Sequence, residues 1–268
     1  MRFSVMKWLK RTYQFLFTRK SLFNFHLALF HLSLRGMGIL NYESKVDSGE
    51  DFFIKNYVKG KEKKVIFDVG ANNGSYSREI KTEAPNSILY SFEPHPVHFN
   101  TLSKVAKELN FQAINVGCGD QKGKAKIYDY RDQDSSGHAS LYKNVIEVLH
   151  YSSSREYEIE ITTIDDFVKE HNIKEIDFLK IDTEGHELAV LKGARETLNS
   201  GIIKMIQFEF NDMNIVSRTF FRDFQEILKG YSLHRMMRDG LIPMKAYLGG
   251  RQIHYELFAY QNIVAIRD

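Results

Sequence analysis

Residues 65–74 read Val65-Ile66-Phe67-Asp68-Val69-Gly70-Ala71-Asn72-Asn73-Gly74, with four apolar side chains around one carboxylate and then a glycine-containing turn. Such a run, followed by a helical pattern, is typical of a buried strand that passes into a helix. A buried carboxylate is costly unless it is paired or hydrogen-bonded, so Asp68 needs a partner. A cationic ligand group or a row of loop N–H groups would serve. The simpler alternative is that Gly70 and Gly74 serve only the geometry of the turn.

A second acid supports a ligand site. Glu93 ends the next apolar run, about 20 residues after Gly74, where an acid can accept both hydroxyls of a ribose. The loop lacks the middle glycine that lets a dinucleotide-binding backbone approach a pyrophosphate, and Ala71 and Asn72 follow Gly70 instead. Asp68 would also repel a diphosphate. These features favour a cationic nucleoside, S-adenosylmethionine, over NAD, and therefore a methyltransferase over an NAD-dependent oxidoreductase.

Composition places the chain among ordinary globular proteins. Its 268 residues are 43% hydrophobic and 26% charged, enough for one α/β domain with an extension. The net charge of +3 is too small to indicate a nucleic-acid partner. A single cysteine, Cys118, excludes an internal disulfide framework and suits a reducing compartment. We therefore expect a cytoplasmic protein with no nucleic-acid partner.

The first 42 residues differ from the rest, because they hold seven Lys/Arg and no acid. Residues 6–18 place apolar side chains on one helical face and basic or polar ones on the other, as in helices that lie on anionic membranes. The alternative is a helix that packs on the domain or on a partner subunit. Residues 21–34 are uncharged but shorter than the roughly 20 residues that span a bilayer, so we predict a second helix that covers the domain.

These patterns divide the chain. We expect a helical extension over residues 1–48, whose residues 1–34 contact a membrane surface or another subunit. A catalytic domain follows over residues 49–268.

Strands and helices alternate from the first motif onward, over residues 65–69, 75–83, 87–92, 96–109 and 111–116. Such alternation predicts a parallel sheet with right-handed crossovers. The pattern then breaks, and residues 120–161 read as an insertion with two alternating strands. In doubly wound folds ligands bind at the carboxyl edge of the sheet, so we expect this insertion to act there as a lid or substrate pocket. The plausible lid contacts are Ser135, Ser136, His138 and Ser140.

A second charged motif follows in residues 176–187. The side-chain period of two places Phe178, Lys180 and Asp182 on one face of a strand. A lysine inside a core strand needs a carboxylate, which Asp182 or Glu184 can supply, and a buried lysine with a shifted pKa can act as a base. The alternative is a structural Lys–Asp pair, with Glu184 or Glu187 capping the following helix.

The next strand, near residues 202–210, ends close to the second motif. Glu209 and Asn211 share a face there, and we expect Glu209 to converge with Asp182. Two carboxylates and an amide can ligate a hard divalent cation, hold a substrate hydroxyl or act as a general base. The sequence does not separate these roles, so a metal at Asp182, Glu209 and Asn211 stays open.

At these motifs the sequence resembles the FkbM family of S-adenosylmethionine-dependent methyltransferases, within the class I methyltransferase superfamily. The resemblance runs from about Gly36 to Ile266. Its motifs are Arg35-Gly36-Met37-Gly38, Phe67-Asp68-Val69-Gly70-Ala71-Asn72, Phe92-Glu93-Pro94-His95-Pro96, Leu179-Lys180-Ile181-Asp182-Thr183-Glu184-Gly185-His186-Glu187 and Phe208-Glu209-Phe210-Asn211.

The resemblance implies a Rossmann-like class I methyltransferase fold, with a mostly parallel seven-stranded sheet, helices on both faces and one antiparallel strand. It also implies S-adenosylmethionine as cofactor and O-methylation of a hydroxyl on a sugar, glycan, lipid-linked saccharide or natural product. The loop that surrounds the methionine part would contain Asp68, Gly70, Ala71, Asn72 and Gly74. Glu93 would hold the ribose, and the turn of residues 117–120, with Gly119 and Asp120 as cofactor contacts, would lie near the adenine.

The mechanism expected is direct in-line methyl transfer, in which alignment supplies most of the rate. A base takes the hydroxyl proton, and the candidates are Asp182 and Glu209, with Glu184 in the same cluster and Lys180 tuning the site or serving itself. A non-catalytic interaction module on the same fold is the alternative from another class. It predicts a damaged cofactor loop or acidic cluster, and both are intact.

Overall fold

The computed structural model describes residues 2–132, 137–245 and 251–268. Its strands are β1 (Val65–Val69), β2 (Ile88–Phe92), β3 (Gln112–Ile114), β4 (Gly117–Cys118), β5 (Gly123–Tyr130), β6 (Ser154–Thr162), β7 (Phe178–Ile181), β8 (Met205–Phe210), β9 (Tyr231–Met237), β10 (Gly240–Pro243) and β11 (Gln261–Arg267).

The α-helices are α1 (Arg2–Phe17), α2 (Phe23–Gly36), α3 (Lys45–Ser48), α4 (Glu50–Phe53), α5 (Ser75–Glu83), α6 (Pro96–Leu109), α7 (Ile164–Glu170), α8 (Glu187–Lys192), α9 (Arg195–Ser200), α10 (Met213–Val216) and α11 (Phe221–Ile227). Shorter helical turns span Lys20–Leu22, Ile54–Val58, Val145–Leu149 and Gln252–His254.

The larger sheet has eight strands in the order β10-β9-β11-β8-β7-β1-β2-β3. Strands β3, β2, β1, β7 and β8 are parallel, and β11 runs antiparallel between β8 and β9. The α/β class and the largely parallel sheet are confirmed, whereas the count of seven strands is wrong by one. The additional strand, β10, pairs with β9 across a turn of only two residues, Arg238 and Asp239.

Helices cover both faces of this sheet. Helices α7, α8, α9 and α11 pack on one face, with Phe67 among the buried side chains. Helices α4 and α5 pack on the other, with Ile66 at its centre. Since side chains alternate along a strand, Asp68 shares the Ile66 face and points towards α5. Asp68 therefore lies in the interior between the sheet and α5.

The insertion forms a second sheet of three strands, in the order β4-β6-β5. Strands β5 and β6 pair antiparallel over eight residues, from Gly123 with Ile161 to Tyr130 with Ser154. The two strands predicted in this segment are therefore confirmed. Ser135 and Ser136, two of the expected lid contacts, lie outside the described residues.

One predicted helix, over residues 186–199, is divided in two by Gly193. A Cβ atom at Gly193 would lie 1.9 Å from the carbonyl oxygen of Gly119. This close contact between the insertion and the α8–α9 region requires glycine, and the helix ends at Lys192 and restarts at Arg195. The sequence shows the glycine, but it does not show that the backbone of Gly119 packs against it.

The N-terminal helices form, but the expectation that the second one covers the domain is wrong. Phe23, Phe25, Phe30 and Leu32 are each more than half exposed, and Leu34 is the buried residue of α2. The helix carries apolar side chains around its circumference, and within the described chain most of them are exposed. None of the helices in the described segments has both the length and the apolar character needed to cross a bilayer.

Candidate active site

A cleft with about 650 Å³ of empty space lies at the carboxyl ends of β1, β2 and β7, under the inserted sheet. This is the edge at which parallel α/β sheets bind ligands. The wall on the side of the strand ends contains Gly70, Asn72, Glu93, Asp182, Thr183 and Glu184, with Pro94, Gly117 and Cys118 beside them. The roof contains Ile127, Gly137, Ala139, Leu141, Ile159 and Ile161. The insertion therefore stands where a lid was expected.

Gly70 brings the β1 loop against the end of β7. Its φ angle is +81°, and a Cβ atom there would lie 1.7 Å from the carbonyl oxygen of Asp182. Both the left-handed backbone and the contact exclude a side chain. The glycine therefore allows the loop and the Asp182 backbone to share one wall of the cleft.

Only part of the predicted cofactor loop reaches the cleft. Asn72 lines it, whereas Ala71 is buried and its N–H donates to the Phe92 carbonyl at 3.0 Å. Gly74, with φ +84°, faces α6, where a Cβ atom would lie 2.9 Å from Leu102 Cδ1. The expected cofactor contacts of Ala71 and Gly74 are thus not seen, because these residues pack the loop and helix.

Glu93 stands at the end of β2, as expected from the sequence, and is 5% exposed. Its carboxylate accepts hydrogen bonds from the N–H groups of Asn72 and His95, each at 2.7 Å. Burial raises the pKa of Glu93 to about 7, against the lowering effect of those N–H groups. An ionised carboxylate accepts about four hydrogen bonds, so capacity remains for ligand hydroxyls.

Only the first half of the turn expected near the adenine lines the cleft. Gly117 and Cys118 line the cleft, whereas Gly119 is buried against Ile161 and His186. Asp120 is exposed, away from the cleft lining. The shift arises because residues 117–118 form β4 and pair with β6. Gly119 and Asp120 are therefore replaced as lining residues by the pair before them.

Asp68 does not face the cleft, contrary to the expectation that it meets the cofactor. It is fully buried on the α5 side of the sheet, where Ser77 Oγ donates to its Oδ2 at 2.6 Å. Its Oδ1 lies 3.8 Å from Lys180 Nζ. Residues Ser91, Asp68, Lys180 and Gln207 occupy matching positions on β2, β1, β7 and β8. One row of polar side chains thus crosses the buried face.

Lys180 is the only cation in this row, and its ammonium donates to Asp182 Oδ2 at 2.9 Å. It also lies 4.7 Å from the centre of the Tyr76 ring. Burial alone would lower the pKa of Lys180, but Asp182, Asp68 and Glu50 outweigh burial and raise it. The direction of this shift favours the protonated ammonium over a role for Lys180 as the base.

Glu209 and Asp182 approach one another, as expected, but Asn211 does not complete a ligand set with them. Burial and the nearby carboxylates of Asp182, Glu184 and Glu50 raise the pKa of Glu209 well above its ordinary value. Asn211 Nδ2 lies 3.4 Å from Glu209 Oε2, while its Oδ1 accepts from the Met213 N–H. This direction favours the protonated form of Glu209, and the amide oxygen of Asn211 already accepts a hydrogen bond.

Glu184 and His138 form a pair between the end of β7 and the roof. His138 Nδ1 lies 3.2 Å from Glu184 Oε1, and Ser140 Oγ donates to the Glu184 carbonyl at 2.7 Å. Burial raises the pKa of Glu184 to about 7, although the hydrogen bond with His138 opposes this shift. That bond in turn raises the pKa of His138. The φ of Glu184 is +54°, an uncommon backbone for a residue other than glycine.

Glu187 holds the loop that presents Glu184. Its Oε1 accepts from the N–H groups of Thr183 and Gly185, both at 3.0 Å. Glu187 thus fixes the loop that precedes α8, whereas the alternative had this side chain cap the helix itself. His186 lines the cleft and lies 3.2 Å from the Tyr142 hydroxyl.

The sequence did not identify several residues of the site. Glu50, from α4, accepts a hydrogen bond from Gln207 Nε2 at 3.0 Å, although the two lie far apart in the chain. Thr183 and His98 also line the cleft. Thr183 lies within the second charged motif, whereas nothing in the sequence distinguishes His98 or Glu50.

Comparison with known proteins gives a family match over residues 68–237, described as Methyltransferase FkbM domain. The 2-O-methyltransferase NoeI of Sinorhizobium fredii is 26% identical over 159 residues, which are 56% of this chain and 65% of that protein. The hexuronic acid methyltransferase AglP of Haloferax volcanii is 29% identical over 145 residues, 53% of this chain and 54% of that protein. The matches thus span less than two thirds of these relatives.

Among solved structures, the crystal structure of Aeropyrum pernix fibrillarin with natively bound S-adenosyl-L-methionine has a TM-score of 0.44 and 12% identity to this chain. The likeness covers 85% of this chain and 76% of that one.

The first prediction concerns the buried ammonium. Replacing Lys180 by methionine leaves Asp68 as a buried carboxylate without its cation, and breaking such a pair costs about 3–5 kcal/mol. We expect Lys180→Met to lower the free energy of unfolding by that amount at neutral pH, measured by urea denaturation. The double variant Lys180→Met/Asp68→Asn should recover most of the loss, because the fully buried side chain is then neutral and Asp182 is in part exposed to solvent.

Lys204→Met provides the control, since Lys204 pairs with Glu175 and Asp177 at a half-exposed position. Its cost should stay below about 1 kcal/mol. Equal losses for Lys180→Met and Lys204→Met would contradict the account.

Proposed function

The chain belongs to the FkbM methyltransferase family, and from that membership we propose that it transfers a methyl group from S-adenosylmethionine to a hydroxyl of a sugar or glycan. One observation carries the proposal. A single cleft holds an acid suited to a ribose, Glu93, beside a Glu184–His138 pair suited to removing a proton. The names of the two relatives, a 2-O-methyltransferase and a hexuronic acid methyltransferase, support the acceptor class.

The residues of the cleft fit S-adenosylmethionine. Gly70 keeps the wall at the end of β1 free of side chains, and the half-exposed Asp182 offers a carboxylate to a cationic amino-acid part. Glu93 would accept the ribose hydroxyls, while Ile127 and Ile161 would cover an adenine ring. When bound there, the cofactor supplies a methyl group activated by its sulfonium. Asp182 would thus take the role that the sequence assigned to Asp68.

The contribution of the chain to the reaction is alignment and proton removal. The cleft would hold the acceptor hydroxyl in line with the methyl–sulfur bond, so that the O–C bond forms as the C–S bond breaks. The hydroxyl proton must pass to a base. Asp182 is held by Lys180. The raised pKa values of Glu209 and Lys180 favour the protonated forms of both groups.

Glu184 remains as the base. Its pKa of about 7 lies near the working pH, which is where general-base catalysis is most efficient. His138 orients it from the roof. We therefore propose Glu184 as the base and Asp182 and Lys180 as the fixed charges beside it.

We further propose that residues 1–34 contact an anionic membrane surface from the cytoplasmic side. Trp8 and Phe15 are 63% and 73% exposed, and seven Lys/Arg without an acid lie among residues 1–42. Helices α1 and α2 contact one another where Tyr13 OH lies 3.3 Å from His26 Nδ1. Exposed aromatic side chains together with basic ones are the features of interfacial helices. A saccharide carried on a lipid would be within reach of such a protein.

The second prediction tests cofactor choice by calorimetry. We expect binding of S-adenosylmethionine and S-adenosylhomocysteine and no binding of NAD. Glu93→Gln should weaken both ligands about tenfold or more, because the amide loses one acceptor for the ribose. Glu108→Gln, at an exposed glutamate on α6, should leave the affinity unchanged. Binding of NAD alone, or of no nucleoside, would overturn the proposal.

The third prediction concerns the pH dependence of turnover. A methyl acceptor is first identified by transfer of labelled methyl groups into a saccharide fraction of cell extract. On that acceptor, kcat should rise as pH increases through about 7, because Glu184 must lose its proton to act as the base.

Glu184→Gln should lower kcat about 10²–10⁴-fold and remove this rise. Asp182→Asn should lower kcat as well, because it removes the carboxylate proposed to face the cationic cofactor. The increase of kcat with pH should remain in this variant. An unchanged profile in Glu184→Gln would show that another group is the base.

The fourth prediction tests the membrane contact by co-sedimentation with vesicles. The full chain should bind phosphatidylglycerol vesicles more strongly than phosphatidylcholine vesicles, and salt should weaken the binding. The pair Trp8→Ser/Phe15→Ser should lose it. Tyr151→Ser, at a 91% exposed aromatic residue outside the helices, should not. If the full chain does not bind vesicles but self-associates, and Trp8→Ser/Phe15→Ser abolishes that self-association, the surface contacts another subunit instead.

A further inference from the structure

Two histidines and one aspartate form a buried cluster beside the cleft. His95 and His98 belong to the β2–α6 connection and the first turn of α6, while Asp129 lies on β5 of the insertion. Their exposed fractions are 0%, 3% and 2%. Asp129 Oδ2 lies 3.5 Å from His95 Nε2 and 3.7 Å from His98 Nε2, and one ligand atom from each residue lies within 4.8 Å of the others.

The hydrogen bonds around His98 fix which of its nitrogens carries a lone pair. Asn72 Nδ2 faces the Gly137 carbonyl at 3.4 Å, so Asn72 Oδ1 faces His98 Nδ1, at 2.6 Å. Because an amide oxygen only accepts, His98 Nδ1 must donate. In the neutral ring Nε2 then carries a lone pair, and this nitrogen is the one nearest the Asp129 carboxylate. A lone pair beside a carboxylate is unfavourable unless a proton or a metal ion lies between them.

Within the described residues, both ring nitrogens of His95 also lack a hydrogen-bond partner, and so does His98 Nε2. Buried polar groups in folded proteins are nearly always satisfied. A single proton on His98 would balance the charge of Asp129 but would leave His95 without a bond. One divalent cation would accept electron pairs from both imidazoles and from the carboxylate.

We propose that His95, His98 and Asp129 bind one divalent transition-metal ion, of the zinc type. Two imidazoles and a carboxylate are a common ligand set for such ions and a poor one for Mg²⁺ or Ca²⁺. Ligands about 2.1 Å from a tetrahedral ion lie roughly 3.4 Å apart, close to the distances seen here. The bond from His98 Nδ1 to Asn72 is the outer hydrogen bond that usually orients a metal-bound histidine.

The position of the cluster gives the ion a structural role. His95 and His98 lie two and five residues after Glu93, and Asp129 lies on β5, the roof strand that contributes Ile127 to the cleft. A metal here would tie the roof to the end of β2. Asn72, which joins His98 to Glu93 through its side chain and its N–H, would carry this constraint to the cleft wall at the strand ends.

The test measures metal binding directly and does not depend on methyl transfer. The full chain is purified without a histidine tag, stripped with a chelator and titrated with ZnCl₂ in a calorimeter. We expect one Zn²⁺ bound per chain. His95→Ala, His98→Ala and Asp129→Ala should each weaken binding at least tenfold, while His31→Ala, at an exposed histidine of α2, should bind as the unaltered chain does. Circular dichroism establishes that each variant is folded.

The unaltered chain loaded with Co²⁺ provides a second measurement that needs no variant. Its visible spectrum should show a four- or five-coordinate ion without a thiolate charge-transfer band, because Cys118 is the only thiol and is not in the ligand set. Failure of the chain to bind Zn²⁺, equal binding by the three variants and the control, or a thiolate band would each overturn the proposal.

Discussion

The ion pair between the Lys180 ammonium and the carboxylates of Asp182 and Asp68 is the interaction on which the rest of the site depends. A sheet covered by helices on both faces has little room for charge, and an unpaired ion there is strongly destabilising. Lys180 is balanced on one side by a buried acid and on the other by an acid that reaches the cleft. The pair therefore joins the interior of the sheet to the chemistry at its edge.

The same pair explains which acids are free to act. Lys180 holds Asp182, and the contact of Gly70 with the Asp182 carbonyl fixes the backbone at that point. Burial raises the pKa values of Glu209 and Glu184, and the nearby charge of Asp182 adds to both shifts. The shift of Glu209 favours its protonated form, whereas the hydrogen bond with His138 opposes the shift of Glu184, whose pKa is about 7. Lys180 thus fixes Asp182, while burial and neighbouring side chains distinguish the two glutamates.

Much of this arrangement could be predicted from the sequence, because its signals are local. Apolar runs, glycine turns and the proline at the start of α6 gave β1, α5 and α6 with the observed bounds. The spacing between the ends of the first two strands predicts the position of Glu93. The parallel order of the strands predicts that ligands bind at the carboxyl edge of the sheet, and the change in hydrophobic periodicity predicts the insertion.

The remainder depends on neighbours that the sequence does not name. The alternation of β1 shows that Asp68 faces away from Phe67, but only the strand order shows that Lys180 is its neighbour. The pKa direction of Lys180 depends on three acids from different elements, including Glu50, against the effect of burial. The cleft contacts of Gly117 rather than Gly119 depend on the pairing of β4 with β6. Each of these features depends on residues that are distant in the sequence, and the hydrophobic periodicity does not show which of them become neighbours.

The central claim is that the cleft under the insertion is a nucleoside site whose ribose contact is Glu93 and whose reactive end lies between Asp182 and Glu184. A crystal structure of the full chain with S-adenosylhomocysteine tests it most directly. The account predicts both ribose hydroxyls on the Glu93 carboxylate, the adenine between Gly117 and Ile127, and the ligand sulfur nearer Glu184 than Glu209. A ligand bound outside this cleft, or with its ribose away from Glu93, would contradict the account.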